Sequence, residues 1–141
     1  MKKKILFSIL ILGLIGASIG FYLYTKPPRD ISSTKEDFVL NVEEFYKEFM
    51  TNEASANTKY LNKVIIVEGI VTEIQLENSE EPTLSISSQN GDSKLTCGFN
   101  KELTSTITSL KSGNKVTLKG KCDGKNMFDE IVLTQCSFLV K

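Results

Sequence analysis

The 141-residue chain contains no histidine and no tryptophan, and only three of its residues are cysteine. Without histidine it lacks the side chain that most often acts as a general base or a metal ligand. Its 17 basic and 17 acidic side chains leave no net charge. Proteins that bind nucleic-acid phosphates usually carry a clear basic excess. The composition therefore disfavours an enzyme and gives little support to a nucleic-acid-binding protein.

The remaining candidate ligands and nucleophiles form no recognisable motif. Cys97, Cys122 and Cys136 have no C-x-x-C spacing, and no histidine completes a zinc-binding set. A catalytic thiol needs a neighbouring base or cation, and the pattern supplies neither. We therefore predict no metal, no cofactor and no catalytic residue. One acidic cluster is close in sequence but matches no calcium-binding loop; it consists of Glu73, Glu77, Glu80 and Glu81.

The N-terminus carries an uncharged run, from Ile5 to Tyr24, that is long enough to cross a bilayer as a helix. Three lysines precede this run, and by the positive-inside rule they favour a cytoplasmic N-terminus. We predict that residues 1–25 form a signal-anchor helix of a single-pass membrane protein, with the domain on the periplasmic or extracellular side. The alternative is a cleaved secretory signal, after which the domain is secreted. Gly16 and Gly20 have the GxxxG spacing that lets such helices self-associate.

The segment between the uncharged run and the domain changes character twice. Residues 26–40 contain two prolines followed by serine, threonine and charge, which predicts an exposed spacer. Residues 41–60 then show helical spacing. Asn41 can cap the first turn, and Phe45, Phe49 and Ala56 fall on one stripe. We expect one amphipathic helix, over residues 42–57, packed against the domain that follows.

Residues 61–141 predict short strands with one helical interruption. The first strand is long and β-branched, and Gly69 in its middle is typical of a strand that coils around a barrel. Alternating segments follow, and a helical pattern around Ile107 separates the third strand from the fourth. Five strands with a helix between strands 3 and 4 indicate an OB-fold barrel in a mainly β protein. In the last strand Val132, Thr134 and Cys136 share one parity, while Ile131 and Leu133 share the other. Parity therefore does not decide which of these side chains face the core, and it allows a bulge.

Several segments carry a resemblance to a known family: NEASANTKYLNKVIIVEGIVTEI, LTCGF, LKSGNKVTLKGKCDG and IVLTQC. On these segments, which cover most of residues 42–140, the chain resembles the tRNA-anticodon-like (tRNA_anti-like) OB-fold family of exported, membrane-anchored bacterial proteins. The resemblance implies an OB-fold behind a lipoprotein signal or a membrane anchor, and it implies no activity. The chain has no cysteine near its N-terminus, which favours the helix as the anchor.

The cysteines can form a disulfide or remain free. The third and fifth strands of an OB barrel run parallel and adjacent, which makes Cys97 and Cys136 the disulfide candidate. If the last hairpin turns near Lys125, Cys122 and Cys136 are about seven residues out of register, roughly 23 Å, which is too far for a bond. An exported domain meets oxidising conditions, which favours a disulfide. Three buried free thiols are the alternative.

OB-folds usually bind ligands on the second and third strands, and the outward residues predicted there include no aromatic side chain. The nearest candidate for a ligand-binding surface is a lysine row with one aromatic neighbour: Lys115, Lys119, Lys121, Lys125 and Phe128. Such a row is also typical of a solvated face or a protected strand edge. We predict a non-enzymatic, membrane-tethered module that binds or scaffolds an envelope protein or a glycan. The alternative is a module that binds single-stranded nucleic acid or another anionic ligand.

Overall fold

The computed structural model of the chain describes residues 13, 15–18, 20, 21, 31, 33–76 and 81–139. Most of the predicted signal-anchor segment 1–25 lies outside these residues, although residues 13, 15–18, 20 and 21 are helical. No helix within the described part is long and apolar enough to span a membrane. A Cβ atom built on Gly16 or on Gly20 would meet no atom within 4 Å.

Five strands form a closed barrel, as predicted. The strand order is β2-β3-β4-β6-β5, and the pairing of β2 with β5 closes the barrel. All neighbours are antiparallel except β4 and β6, which are parallel. The mainly β OB-fold class is therefore confirmed. The five strands are β2 (Val64–Gln75), β3 (Thr83–Ser87), β4 (Leu95–Phe99), β5 (Lys115–Lys125) and β6 (Ile131–Phe138).

The barrel interior is filled by alternate residues of each strand, because successive side chains of a strand point to opposite faces. The predicted inward residues of β3, β4 and β5 are buried, and so are Ile131 and Leu133 of β6. The predicted helix between β4 and β5 is also present. It consists of a 3₁₀ turn (Lys101–Leu103) followed by α3 (Thr104–Thr108), and it contributes Ile107 to the core.

An additional strand, β1 (Phe38–Asn41), was not predicted. It runs parallel to the first half of β2, with Phe38 beside Ile65, and it occupies the β2 edge opposite to β5. The sequence analysis assigned residues 26–40 to a spacer, and the last three of those residues are strand instead. A strand of four residues is too short for its alternation to stand out from the charged residues before it.

The expected single helix over residues 42–57 is two helices, α1 (Val42–Thr51) and α2 (Glu53–Tyr60). The break comes at Asn52, whose backbone is extended. Its side-chain oxygen accepts a hydrogen bond from the Ser55 amide and so begins α2. Asparagine is a preferred N-cap residue, which explains a new helix at this position.

The two helices nevertheless bury one apolar face against the barrel. Asn41 caps α1 as predicted, since its side chain accepts a hydrogen bond from the Glu44 amide. The predicted stripe is confirmed, with Phe45, Phe49 and Ala56 at most 2% exposed. Tyr60 completes the face, and its ring lies edge-on to Phe45 at 5.0 Å. The helices thus extend the hydrophobic core beyond the barrel.

Gly69 allows α1 to pack closely on β2. A Cβ atom at residue 69 would lie 2.7 Å from Val42 Cγ2 and 3.1 Å from the Ser87 carbonyl oxygen. The bulge in β2 follows slightly later, between Val71 and Glu73. The glycine that sequence analysis associated with strand coiling therefore marks a close approach of the helix, and the bulge beside it interrupts the strand register.

The observed register of the β5–β6 hairpin differs from the predicted one. Its turn lies at residues 126–130 rather than at Lys125, because this loop is five residues long. Cys122 therefore lies opposite Leu133, so it is three residues out of register with Cys136 and not the predicted seven. Between Leu133 and Cys136, β6 contains a bulge at Gln135, whose φ of 54° is left-handed. The bulge changes the parity of the strand, so that Leu133 and Cys136 are both buried.

Candidate ligand-binding surface

The first two lysines of the row have opposite environments. Lys115 begins β5 with 65% of its side chain exposed, and its Nζ lies 2.6 Å from Glu68 Oε1. Lys119, in the middle of the strand, is only 5% exposed. Its Nζ lies 3.8 Å from Glu36 Oε2, in the segment before β1. The outward facing expected for Lys119 from strand parity therefore does not make it accessible, because another part of the chain lies over it.

The other two lysines are also paired with carboxylates. Lys121 Nζ lies 3.2 Å from Asp123 Oδ1. Lys125 Nζ lies 2.7 Å from Asp129 Oδ1 and 3.1 Å from Glu53 Oε2, so it joins the hairpin to α2. The hydrogen bond that Lys125 donates to Asp129, followed by the one that it donates to Glu53, raises the pKa of Lys125. Every lysine of the row thus has an acidic partner, and the row is not a continuous basic groove.

The OB-fold ligand face lacks stacking platforms in this chain. Within the part of β3 and β4 that the structure describes, the outward residues are Thr83, Ser85, Ser87, Thr96 and Gly98, none of which is aromatic. Ser87 is itself buried. Binding of single-stranded nucleic acid draws most of its energy from aromatic stacking in a basic groove. The two features that such binding requires are therefore missing from this face.

A polar groove of about 300 Å³ lies beside Lys121. Gly98 leaves the groove open, since a Cβ atom there would find its nearest neighbour, the Leu133 carbonyl oxygen, at 3.8 Å. Thr134 donates a hydrogen bond of 3.0 Å to Asp123 on the same wall. The groove offers several hydrogen-bonding groups, two acidic side chains and one basic side chain. Its lining includes Glu81, Asn100, Lys121, Asp123, Thr134 and Gln135.

The loop between β5 and β6, which we call the tip loop (residues 126–130), presents two large apolar side chains to solvent. Phe128 is 72% exposed, as expected for a loop residue, and Met127 beside it is 90% exposed. Sequence analysis missed Met127. The available signal was an apolar dipeptide inside the otherwise polar turn DGKNMFDE. An exposed apolar pair at a hairpin tip is a candidate contact with a partner or a membrane.

The three cysteines are free and buried. Cys97 and Cys136 lie on the adjacent parallel strands β4 and β6, as predicted for the disulfide candidate, and both are thiols in this structure. Burial raises the pKa of Cys97 well above its ordinary value, and Cys136 raises it further. Burial also raises the pKa of Cys122 to about 11. Protonated thiols are poor nucleophiles, and the raised pKa values of Cys97 and Cys122 therefore disfavour reactive thiolates at these two residues.

The acidic cluster of the sequence analysis lies partly outside the structure, because Glu77 and Glu80 are not among the described residues. Across the residues that are described, there is no group of three or more cysteine, aspartate or glutamate side chains that could hold a metal ion. Glu73 and Glu81 are both exposed.

The sequence profile of the tRNA_anti-like family matches residues 1–137 of the chain. The chain belongs to the tRNA_anti-like family. The barrel, strand β1 and helices α1 and α2 described above therefore belong to a tRNA_anti-like protein. No match to this tRNA_anti-like protein was found among curated proteins.

One solved structure supports the same fold for the tRNA_anti-like chain. This crystal structure from Klebsiella pneumoniae, of a protein provisionally described as a nucleic acid-binding lipoprotein, matches 81% of this chain and 100% of its own at 19% identity, with a TM-score of 0.63. At this identity the likeness extends to the fold alone.

Two weaker likenesses are the Stn1–Ten1 complex of S. pombe and an OBody bound to hen egg-white lysozyme. The first covers 55% of this chain and 59% of its own at 20% identity (TM-score 0.42), and the second covers 56% and 97% at 17% identity (TM-score 0.44).

Proposed function

We propose that this protein is a non-enzymatic binding or scaffolding module, tethered to a bacterial membrane by its N-terminal segment, with the OB domain on the exported side. The tether is supported by the uncharged run from Ile5 to Tyr24 and the three lysines before it. The lipoprotein from Klebsiella pneumoniae, which has the same fold over its whole length, is consistent with an envelope location. The partner is an envelope protein or a glycan.

The observation that carries this proposal is the pairing of the lysine row with carboxylates. A groove that binds nucleic acid attracts phosphates with unneutralised charge and releases counterions. Here Glu68, Glu36, Asp123 and Asp129 already lie within 4 Å of the lysines. A polar groove with both signs of charge is better suited to the hydroxyl groups of a glycan or to a peptide backbone.

Nucleic-acid binding is the second candidate, and the description of the Klebsiella pneumoniae protein favours it. It predicts binding to a single-stranded oligonucleotide that weakens steeply with salt. The variant Lys115→Glu/Lys121→Glu, which reverses two charges of the lysine row, should abolish this binding, whereas Lys47→Glu/Lys111→Glu, with the same change of charge elsewhere, should retain it. Lys119 is unsuited to the test because its burial makes a charge reversal disruptive.

Cross-linking of the full-length protein in its native envelope, followed by mass spectrometry of captured molecules, tests the proposal. A reproducible envelope protein or glycan that is lost with Gly98→Leu, which fills the groove, and kept with Gly98→Ala would support it. Recovery of nucleic acid in place of either would overturn it.

The same experiment tests self-association. Capture of a second copy of the chain that disappears in Gly16→Leu/Gly20→Leu would show self-association through the N-terminal helix.

A further inference from the structure

We propose that the tip loop inserts Met127 and Phe128 into the lipid bilayer, and that the membrane is thus a direct partner of the OB domain. The proposal rests on the membrane tether proposed above, and it adds a second contact with the same bilayer. Large apolar side chains at the end of a hairpin are costly to expose to water, and burying them in lipid recovers that free energy. The two side chains are more exposed than any other large apolar residue for which the structure gives an exposure, at 90% and 72%.

The backbone of the tip loop is held by hydrogen bonds around Asn126. Asn126 Oδ1 accepts hydrogen bonds from the Phe128 amide at 2.9 Å and from the Glu130 amide at 3.0 Å. The Asn126 amide in turn donates to the Glu130 carbonyl at 2.9 Å. These bonds keep the backbone that carries the apolar pair at the end of the hairpin.

The chain enters the domain at the same end of the barrel. The Asp37 amide donates to the Val64 carbonyl at 2.8 Å, and the Val64 amide donates to Asp37 Oδ2 at 2.9 Å. Val64 begins β2 and lies opposite Lys121, four residues before the end of β5 at Lys125. The residues that lead into β1 are therefore joined to the start of β2, at the end of the barrel from which the tip loop projects.

The connecting chain is too short to place the domain far from the bilayer. Ile31 is already buried and Glu36 contacts Lys119, so residues 25–30 separate the uncharged run from the folded domain. Fully extended, these six residues span at most about 20 Å, which is less than the diameter of a small domain. A tether of this length keeps the tip loop at a high effective concentration near the membrane, so that a weak insertion is sufficient.

The charges around the tip loop predict which lipid property matters. Lys125 is paired with Asp129 and Glu53, and Glu130 adds another acidic group. A surface without a basic excess gains nothing from anionic headgroups. Insertion should therefore occur in vesicles of phosphatidylcholine alone and should be insensitive to salt, which distinguishes it from binding to nucleic acid.

The absence of tryptophan from the chain allows a clean test. Phe128→Trp introduces a single fluorescent reporter into the full-length protein, reconstituted in phosphatidylcholine vesicles with or without brominated acyl chains. Met127→Trp serves as a second reporter. Leu76→Trp is the matched control, because Leu76 is also partly exposed but follows the other end of β2. Vesicle flotation and thermal unfolding establish for each variant that the protein is tethered and folded.

We expect the residue-128 and residue-127 reporters to shift to shorter wavelength and to lose fluorescence on brominated lipid, with no change for the residue-76 reporter. Protein that floats with the vesicles but shows no quenching at residues 127 and 128 would overturn tip-loop insertion and leave the tether intact. Protein that does not float would overturn the tether and with it this inference. A response of the reporters to an oligonucleotide but not to brominated lipid would assign the loop to nucleic acid instead.

Discussion

The Sγ atom of Cys136 lies 2.6 Å from the position that a Cβ atom on Gly120 would occupy. The Cβ atom of Leu133 lies 3.1 Å from the same position. Strands β5 and β6 can therefore approach each other at this point only because residue 120 has no side chain. The contact follows from the β6 bulge, which turns Cys136 back into the barrel after Leu133 has faced inward.

Gly120→Ala should lower the free energy of unfolding by about 1–3 kcal/mol, because the added methyl group overpacks the core. Cys136→Ala removes the obstructing sulfur, so the double variant should be less destabilised than the sum of the single changes. Urea unfolding measures all three. Gly98→Ala, whose nearest neighbour is at 3.8 Å, should change little. If the effects of the two substitutions were additive, the methyl group added at residue 120 would not be in contact with the Cys136 sulfur.

Lys119→Glu should destabilise the fold by about 3–5 kcal/mol, because it buries a carboxylate beside Glu36 in place of a paired lysine. Lys115→Glu makes the same change of charge on the same strand, but at an exposed side chain. Its effect should stay within about 1 kcal/mol. Chemical unfolding of the two variants provides the comparison. Equal losses would mean that the segment before β1 does not cover Lys119 in solution.

Stability should fall as the pH rises from about 9 towards 11. The ordinary pKa of a cysteine thiol is 9.0, and burial raises that of Cys122 to about 11 in the folded chain. Between these values the unfolded state binds fewer protons than the folded state, so the free energy of unfolding decreases with pH, by at most about 3 kcal/mol for this thiol. Urea unfolding between pH 7 and 10.5 measures the slope. Cys122→Ala should have a shallower slope, and an unchanged slope would assign the effect to other groups.

Asn126→Ala should cost about 1–2 kcal/mol, because two backbone amides of the tip loop lose their acceptor. Hydrogen exchange of the Phe128 and Glu130 amides should accelerate, while exchange in β2 should not. Met127→Ala is the control in the same loop. As a change at an exposed residue, it should alter stability by less than about 0.5 kcal/mol. Unchanged exchange in Asn126→Ala would show that the loop is ordered by other contacts.

The inward faces of the barrel were predictable because strand periodicity is a local property. Leu95, Cys97 and Phe99 alternate with polar residues, and so do Val116, Leu118 and Cys122, so each face follows from parity alone. The order of strands around a single helical interruption then indicates an OB-fold. The adjacency of Cys97 and Cys136 follows from that topology, so it could be predicted from the sequence alone.

The features that sequence analysis missed depend on contacts between distant segments. Lys119 has the correct parity for an exposed residue and is buried because Glu36 and its neighbours lie over it. The bulge that the mixed parity of β6 allowed is present, but its position was not predictable, because Gln135 carries no residue-type signal for a left-handed backbone. In the candidate surface, the lysine row was predicted from the sequence, but some of its ion pairs join segments that are distant in the chain. Lys115 pairs with Glu68, and Lys119 pairs with Glu36, so neither pair has a counterpart in local sequence.

Because strand β1 covers one edge of β2, the position of a proteolytic cut should decide whether the released domain stays monomeric. The strand covers the edge of β2 opposite to β5, and an uncovered edge is a template for pairing with another chain. Proteolytic release of the domain upstream of Phe38 leaves that edge covered and should yield a monodisperse product. A cut between Asn41 and Val42 removes the cover, and the released fragment should aggregate through β2, as size-exclusion chromatography of the two fragments would show.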